Sequence, residues 1–396
     1  MSLVSNYLIF QKRFLLCSLS LLILSGCMSG NSWKTGELTP EVKALAEPTR
    51  SLASFKKGSD AMCYDRAKEP YTAVVDTHFH PRPFGGPALS TPELINYFDS
   101  LGVRFVNYFG IGQVLELDSG CTYYLDCKGV AAKPSIKNDF VNGMDAVAFK
   151  SDNLHITLSM TFMDLANPED IVSKIKLYDA EYPGMFKWAG EVNLMKQALV
   201  GNLHEPATKE DIKAWAPFMK ILAERGIPIT IHSDLGNDAN PTEFLYLMEY
   251  VLKQYPKNKI VWAHMGLSKE LTKMAPNKHV EIMEGLLKNH PNLYLDISWD
   301  VLFNAYHRWG GIFIDFFNRN PTRILPGSDF VAADNKSYGI YAKELEITSR
   351  ALKFLNDEAF QNIALGGNYF RILNLNYEAL KICSGYVPPV AKTEAM

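Results

Sequence analysis

Val74-Val75-Asp76-Thr77-His78-Phe79-His80 reads as a buried strand that ends in two histidines. Side chains alternate along an extended chain, so His78 and His80 point to the same side. With nine histidines in 396 residues, such a triplet arises by chance about 0.2 times per chain, so alone it fits a hydrogen-bonded core pair equally well. Seven more short apolar runs follow it: Val103 to Phe109, His155 to Thr161, Met185 to Glu191, Ile227 to Ser233, Lys259 to Met265, Leu293 to Trp299 and Arg323 to Asp329. Their starts lie 29 to 52 residues apart, which leaves room for a helix in each gap. Thr91-Pro92-Glu93 offers an N-cap, a proline in the first turn and an acid beside it, with Gly102 placed to end that helix. Asn167-Pro168-Glu169, Thr208 to Gly226, and Asn240-Pro241 to Tyr255-Pro256 repeat the pattern. Eight strands alternating with helices predict an α/β fold, a single (β/α)8 barrel over residues 71–384, with a short tail at 385–396. A doubly wound sheet would need a Gly-rich turn after the first strand, and none is present.

Composition supports a globular chain: 47% hydrophobic, 21% charged, 40 basic against 43 acidic side chains. A net charge of -3 gives no basic face for neutralising phosphates, so nucleic acid is not an expected partner and a small molecule is. Lys12 and Arg13 precede an apolar stretch from Phe14 to Leu24, too short to span a bilayer but suited to a signal peptide over residues 1–26. Its end, Leu24-Ser25-Gly26-Cys27, resembles the lipobox of bacterial lipoproteins. That resemblance implies cleavage before Cys27, lipidation of its sulfur, and a lipid-anchored protein of the cell envelope, at the outer membrane facing the periplasm because Met28 follows. Residues 27–70 read as a tether. Four cysteines remain in an oxidising compartment, which favours disulfides. Cys121 with Cys127 is the local pair, Cys63 with Cys383 would tie the two ends, and no CxxC spacing supports a zinc–thiolate site.

In a barrel of this kind the chemistry sits at the carboxyl ends of the strands. Beside His78 and His80, the fifth run ends Ile231-His232-Ser233-Asp234, the sixth Ala263-His264-Met265-Gly266 and the eighth Gly327-Ser328-Asp329. Imidazole and carboxylate groups gathered there suit a divalent metal such as Zn, Mn or Fe with a position left for water. With Trp262-Ala263-His264-Met265-Gly266, Pro291-Asn292-Leu293-Tyr294 and Gly366-Gly367-Asn368-Tyr369, the chain resembles the amidohydrolase superfamily in its amidohydrolase-related branch. The resemblance covers about 300 residues. It implies a divalent metal, most often Zn, held by His78, His80, His232 and Asp329, with His264 and Asp329 catalytic. It implies hydrolysis of an amide, ester or lactone by metal-activated water.

Many relatives of that branch carry a carboxylated lysine on the fourth strand that bridges two metals. Here Glu191 ends that strand and Lys187 lies four residues earlier, deeper in the barrel. If Glu191 bridges, His264 joins a second metal; if it does not, one metal is held and His264 is a free acid/base, the arrangement preferred here. Arg82, His307 and Arg308 are candidates to clamp a substrate carboxylate. His155 and His290 fall at strand starts and read as structural, whereas His204 and His279 carry no signal. The insert from Gly110 to Asn153 is the expected lid. The chain also resembles a non-oxidative decarboxylase that uses the one-metal ligand set, and an inactive binding lipoprotein is the alternative of another class.

Overall fold

The computed structural model describes residues 50–69 and 74–391, and of residues 117, 300–309 and 350 the backbone alone. The signal peptide, Cys27 and the tether as far as residue 49 lie outside the described residues. The strands are β1 (Val75–His80), β2 (Phe105–Tyr108), β3 (Gln113–Leu115), β4 (Ala132–Pro134), β5 (His155–Met160), β6 (Phe186–Met195), β7 (Ile229–Ser233), β8 (Ile260–Trp262), β9 (Leu293–Asp296), β10 (Ile324–Leu325) and β11 (Phe330–Val331). The helices are α1 (Thr91–Leu101), α2 (Lys137–Ala148), α3 (Ile171–Glu181), α4 (Lys209–Ala214), α5 (Ala216–Arg225), α6 (Leu245–Gln254), α7 (Pro276–Asn289), α8 (Asp300–Arg319), α9 (Tyr338–Leu352), α10 (Asp357–Ile363) and α11 (Gly367–Ile372).

Nine parallel strands form one sheet in the order β10-β9-β8-β7-β6-β5-β2-β1-β11. Its two outer members are halves of a single stretch, residues 324–331, so the sheet closes on itself as a TIM-barrel-like α/β ring. The expected eighth strand is thus split: β10 pairs with β9 and β11 with β1. Between them, Thr77 donates its N–H to Pro326 O at 3.0 Å and Asp329 to His78 O at 2.8 Å. Gly327 makes this approach possible, because a Cβ there would lie 2.7 Å from His78 Cβ. Asp76 latches the seam, accepting from Ser328 N at 3.0 Å and from the Tyr341 hydroxyl at 3.0 Å.

Each of the eight apolar runs holds a strand, and the local signals around them act with small shifts. Ser90, one residue before the expected Thr91, caps α1 by accepting from Glu93 N, and Gly102 ends that helix in the left-handed region at φ 78°. Thr208 caps α4 with Asp211 reciprocating. Strand β8 stops at Trp262 rather than Met265, because His264 and Met265 both adopt positive φ in a tight turn, Ala263–Gly266.

The insert after β2 folds over the carboxyl ends of the strands. It contains the β3–β4 hairpin, the Cys121–Cys127 disulfide and α2. Phe84, Ile111, Leu115, Tyr124, Ala132 and Leu199 form its own small core, which joins it to the segment after β6. At the other end of the barrel the expectation of a tether to residue 70 needs correcting. Residues 50–69 are packed, with Phe55 fully buried against Phe105 and Phe370. Arg66 is buried as well, bound to Asp357 and to the Lys353 and Leu355 carbonyls. A Cys63–Cys383 disulfide joins this segment to the end of the barrel.

Candidate metal centre

The closed ring brings the strand-end residues of β1, β6, β7, the turn after β8, and the β10–β11 link to one place. His78, His80, His232 and His264 are all buried, Glu191 is 8% exposed and the Asp329 side chain 14%. His78 Nε2 lies 3.2 Å from His80 Nε2, and Asp329 Oδ1 stands 3.2 Å and 3.1 Å from the two. Glu191 presents one oxygen to each half of the site. Its Oε2 is 3.8 Å from His78 Nε2 and 3.6 Å from His80 Nε2. Its Oε1 is within hydrogen-bond distance of His232 Nδ1 and 3.7 Å from His264 Nε2.

The opposite edge of every imidazole is tied to an acceptor, which assigns its proton. His78 Nδ1 faces Asp296 Oδ2 at 2.5 Å, and His80 Nδ1 faces the Gly110 carbonyl at 3.3 Å. His264 Nδ1 lies 3.0 Å from Ser298 Oγ, whose own hydrogen goes to Asp296 Oδ2 at 3.0 Å, and His232 Nε2 lies 2.9 Å from Asp234 Oδ1. With those protons directed outward, the four remaining ring nitrogens aim lone pairs at the carboxylates of Glu191 and Asp329. Acceptors facing acceptors in a buried space need positive charge between them, and this donor set fits divalent cations.

The electrostatics agree. Burial pushes the His78 imidazole down, but the Asp296 and Asp329 carboxylates outweigh it and hold the group well above its ordinary range. Burial likewise pushes Asp329 up, and His78 outweighs it, leaving the carboxyl well below its usual range. Glu191 is lowered in the same way, against burial, by Lys196 and His232. The negative potential that would keep His78 protonated is the potential a cation would occupy.

Several residues fall elsewhere than expected. Arg82 does not face the site: its guanidinium holds Asn142 at 3.1 Å and ion-pairs with Asp145, fastening α2. Lys187 is exposed on the outer side of β6 rather than deep in the barrel, so it cannot bridge metals. His307 and Arg308 lie in α8, and their side chains are outside the described residues. His279, which carried no signal, supports the turn bearing His264 by reaching Met265 O from Nε2 at 2.8 Å. Burial pushes its imidazole down to about 4, so it is neutral.

Other residues have tasks at the site that the sequence did not assign to them. Asp296, Ser298 and Asp234 orient imidazoles; the acidic ends of Leu293-Tyr294-Leu295-Asp296 and His232-Ser233-Asp234 were readable signals for two of them. Lys196, in the first position after β6, sets Nζ 3.5 Å from Glu191 Oε1. Trp299 stands with its ring 4.9 Å from that of His264. From the insert, Tyr124 lies within electrostatic reach of Asp329 and Glu191.

Residues 194–368 match the amidohydrolase family. A search among curated proteins finds no match. Among solved structures, dihydroorotase from Campylobacter jejuni is 17% identical with a TM-score of 0.45, over 76% of this chain and 83% of that one. An amidohydrolase from Burkholderia multivorans with bound Zn is 13% identical with a TM-score of 0.48, over 76% and 99%. A beta-aspartyl dipeptidase from Fervidobacterium islandicum is 15% identical with a TM-score of 0.44, over 83% and 79%. Residues 194–368 are thus similar to the amidohydrolase family, and the solved structures share the barrel architecture described above.

Proposed function

We propose that the protein hydrolyses an amide, ester or lactone bond of a small molecule, with two divalent cations, Zn by the donor set, that Glu191 would bridge. One observation carries this reading: each oxygen of Glu191 faces a separate pair of imidazoles, His78 with His80 on one side and His232 with His264 on the other. The first pair would hold one cation together with Asp329, the second pair the other. Such cations, when bound, supply water whose pKa falls from 15.7 toward about 7.

The chain's own residues do the rest. Asp329 is the most open of the six ligand groups, and Oδ1 is the oxygen turned to the histidines. Its second oxygen is placed to take the proton of an attacking water and return it to the leaving group, a contribution on the order of 100 to 10,000-fold. Asp296, Ser298, Asp234 and the Gly110 carbonyl keep the lone pairs of the four imidazoles aimed inward. The insert covers the site and keeps bulk water from it. With Glu191 as bridge, His264 is a ligand rather than a free acid/base.

Metal content of the purified protein, wild type and Glu191→Gln, tests this directly. Two equivalents per chain falling to about one in the variant, with ester or lactone hydrolysis lost, is the expected result. One equivalent in both would overturn the bridge and restore the single-metal arrangement. Release of CO2 in place of an acid and an alcohol or amine would replace hydrolysis by decarboxylation.

A further inference from the structure

Lys196 is buried, with 9% of its side chain exposed, yet Nζ has a single hydrogen-bonding partner among the described residues, Glu191 Oε1 at 3.5 Å. That is long for a charge-assisted bond, which is commonly 2.7–2.9 Å. It leaves two of three N–H donors without an acceptor. A buried ammonium in that condition is costly unless something completes its shell. Its remaining surroundings do not complete it. The Phe84 ring lies 6.0 Å away. Tyr123 and Tyr124 of the insert pack against each other and against Phe84, which makes that wall aromatic.

Glu191 cannot serve Lys196 fully either. Its Oε1 is closer to His232, and under the two-cation reading, on which this inference rests, its charge is shared between the cations. The ammonium is then the unsatisfied partner at a water-poor wall where ion pairing is strong. A second ammonium, Lys269, is exposed at the rim over Trp299 at 5.3 Å, on the side of His232 and His264. Lys196 and Lys269 both lie within electrostatic reach of Tyr123, and Glu270, beside Lys269, lies within reach of Tyr124.

We propose that Lys196 anchors a carboxylate of the substrate, so that the enzyme acts on acidic small molecules whose scissile carbonyl lies over Glu191 and Asp329. The binding step is an ion pair: no bond is broken, and the substrate's carboxylate oxygens accept from Nζ.

The test uses the full mature protein loaded with Zn, as wild type, Lys196→Met and Lys196→Arg. Succinate and the neutral succinamide are titrated calorimetrically, and mono-p-nitrophenyl succinate is compared with p-nitrophenyl butyrate as substrate. Succinate should bind wild type at least tenfold more tightly than succinamide. Lys196→Met should lose that preference and raise KM for the acidic ester at least tenfold more than for the neutral ester, with metal content measured alongside. Lys196→Arg should retain part of the preference. Equal succinate binding in wild type and Lys196→Met overturns the proposal. So does an equal loss on both esters together with lost metal, which would make Lys196 only a counter-ion of Glu191. If neither ester is hydrolysed by wild type, the hydrolase reading fails, while the succinate titration still decides the role of Lys196.

Discussion

At the scale of single residues, the histidines and their orienting partners divide by how they are written in sequence. His78, His80, His232, His264 and Asp329 were legible because they end apolar runs, where a barrel puts its chemistry. Asp296 was visible by its place at a strand end but its task was not, since an acid there can serve as ligand, orienting group or surface charge. The structure gives it a distinct task, fixing His78 through Nδ1 while also receiving the Ser298 hydroxyl. Replacing it by Asn keeps the shape but weakens the hold on the His78 proton. Under the two-cation reading proposed above, Asp296→Asn should lower affinity for the metal beside His78 by 10 to 100-fold, with the second site and the melting temperature of the metal-free protein little changed. Competition with a chromogenic chelator measures it. Loss of both metals together would mean that Asp296 supports the whole site rather than one imidazole. Lys196 was illegible for another reason: a lysine one residue past a strand gives no hint that it folds inward beneath an insert.

At the scale of elements, the runs and the capping signals located the strands and helices, while the insert was recognisable by its length alone. Its helix α2 explains why pattern reading fails there: its buried residues are Asn138, Asp139, Asn142 and Gly143, so no apolar stripe marks it. Asp139 accepts from Thr161 N, Thr161 Oγ1 and the Tyr178 hydroxyl, each at 2.6 Å, and so fastens α2 to the ends of β5 and α3. Burial nevertheless pushes its carboxyl up to about 6, against about 3.9 in an unfolded chain. The folded protein therefore binds this proton more tightly than the unfolded one. The stability this group contributes is fully present below about pH 4 and is lost as pH rises through about 6. Asp139→Asn should cost on the order of 1–3 kcal/mol, because an amide N–H now faces donors. It should also remove this group's share of the decline between pH 4 and 6. Urea unfolding of both proteins across that interval gives the difference in slope, in which groups common to both cancel. Parallel curves would show that Asp139 is ionised throughout.

At the scale of the whole molecule, the two ends of the barrel have separate work. The candidate metal-binding residues and the insert occupy the carboxyl ends of the strands, and residues 50–69 pack at the other end. Arg50 O accepts from Arg104 beside the start of β2, and Leu52 N donates to Asn153 just before β5. Residue 50 therefore sits at the end of the barrel opposite the site. We propose that Cys27 is lipidated and holds the protein on a membrane from that end, the reading supported by Leu24-Ser25-Gly26-Cys27 and the apolar stretch before it. Residue 50 lies at the end of the barrel away from the candidate metal centre, so anchoring and catalysis should separate. In cells fed a clickable fatty acid, wild type should label and sediment with membranes. Cys27→Ala should do neither, yet hydrolyse a soluble ester with the same kcat/KM once purified in detergent-free buffer. Membrane retention of Cys27→Ala would point instead to an uncleaved apolar N-terminus as the anchor. A changed kcat/KM would mean that the segment before residue 50 reaches round the barrel to the site.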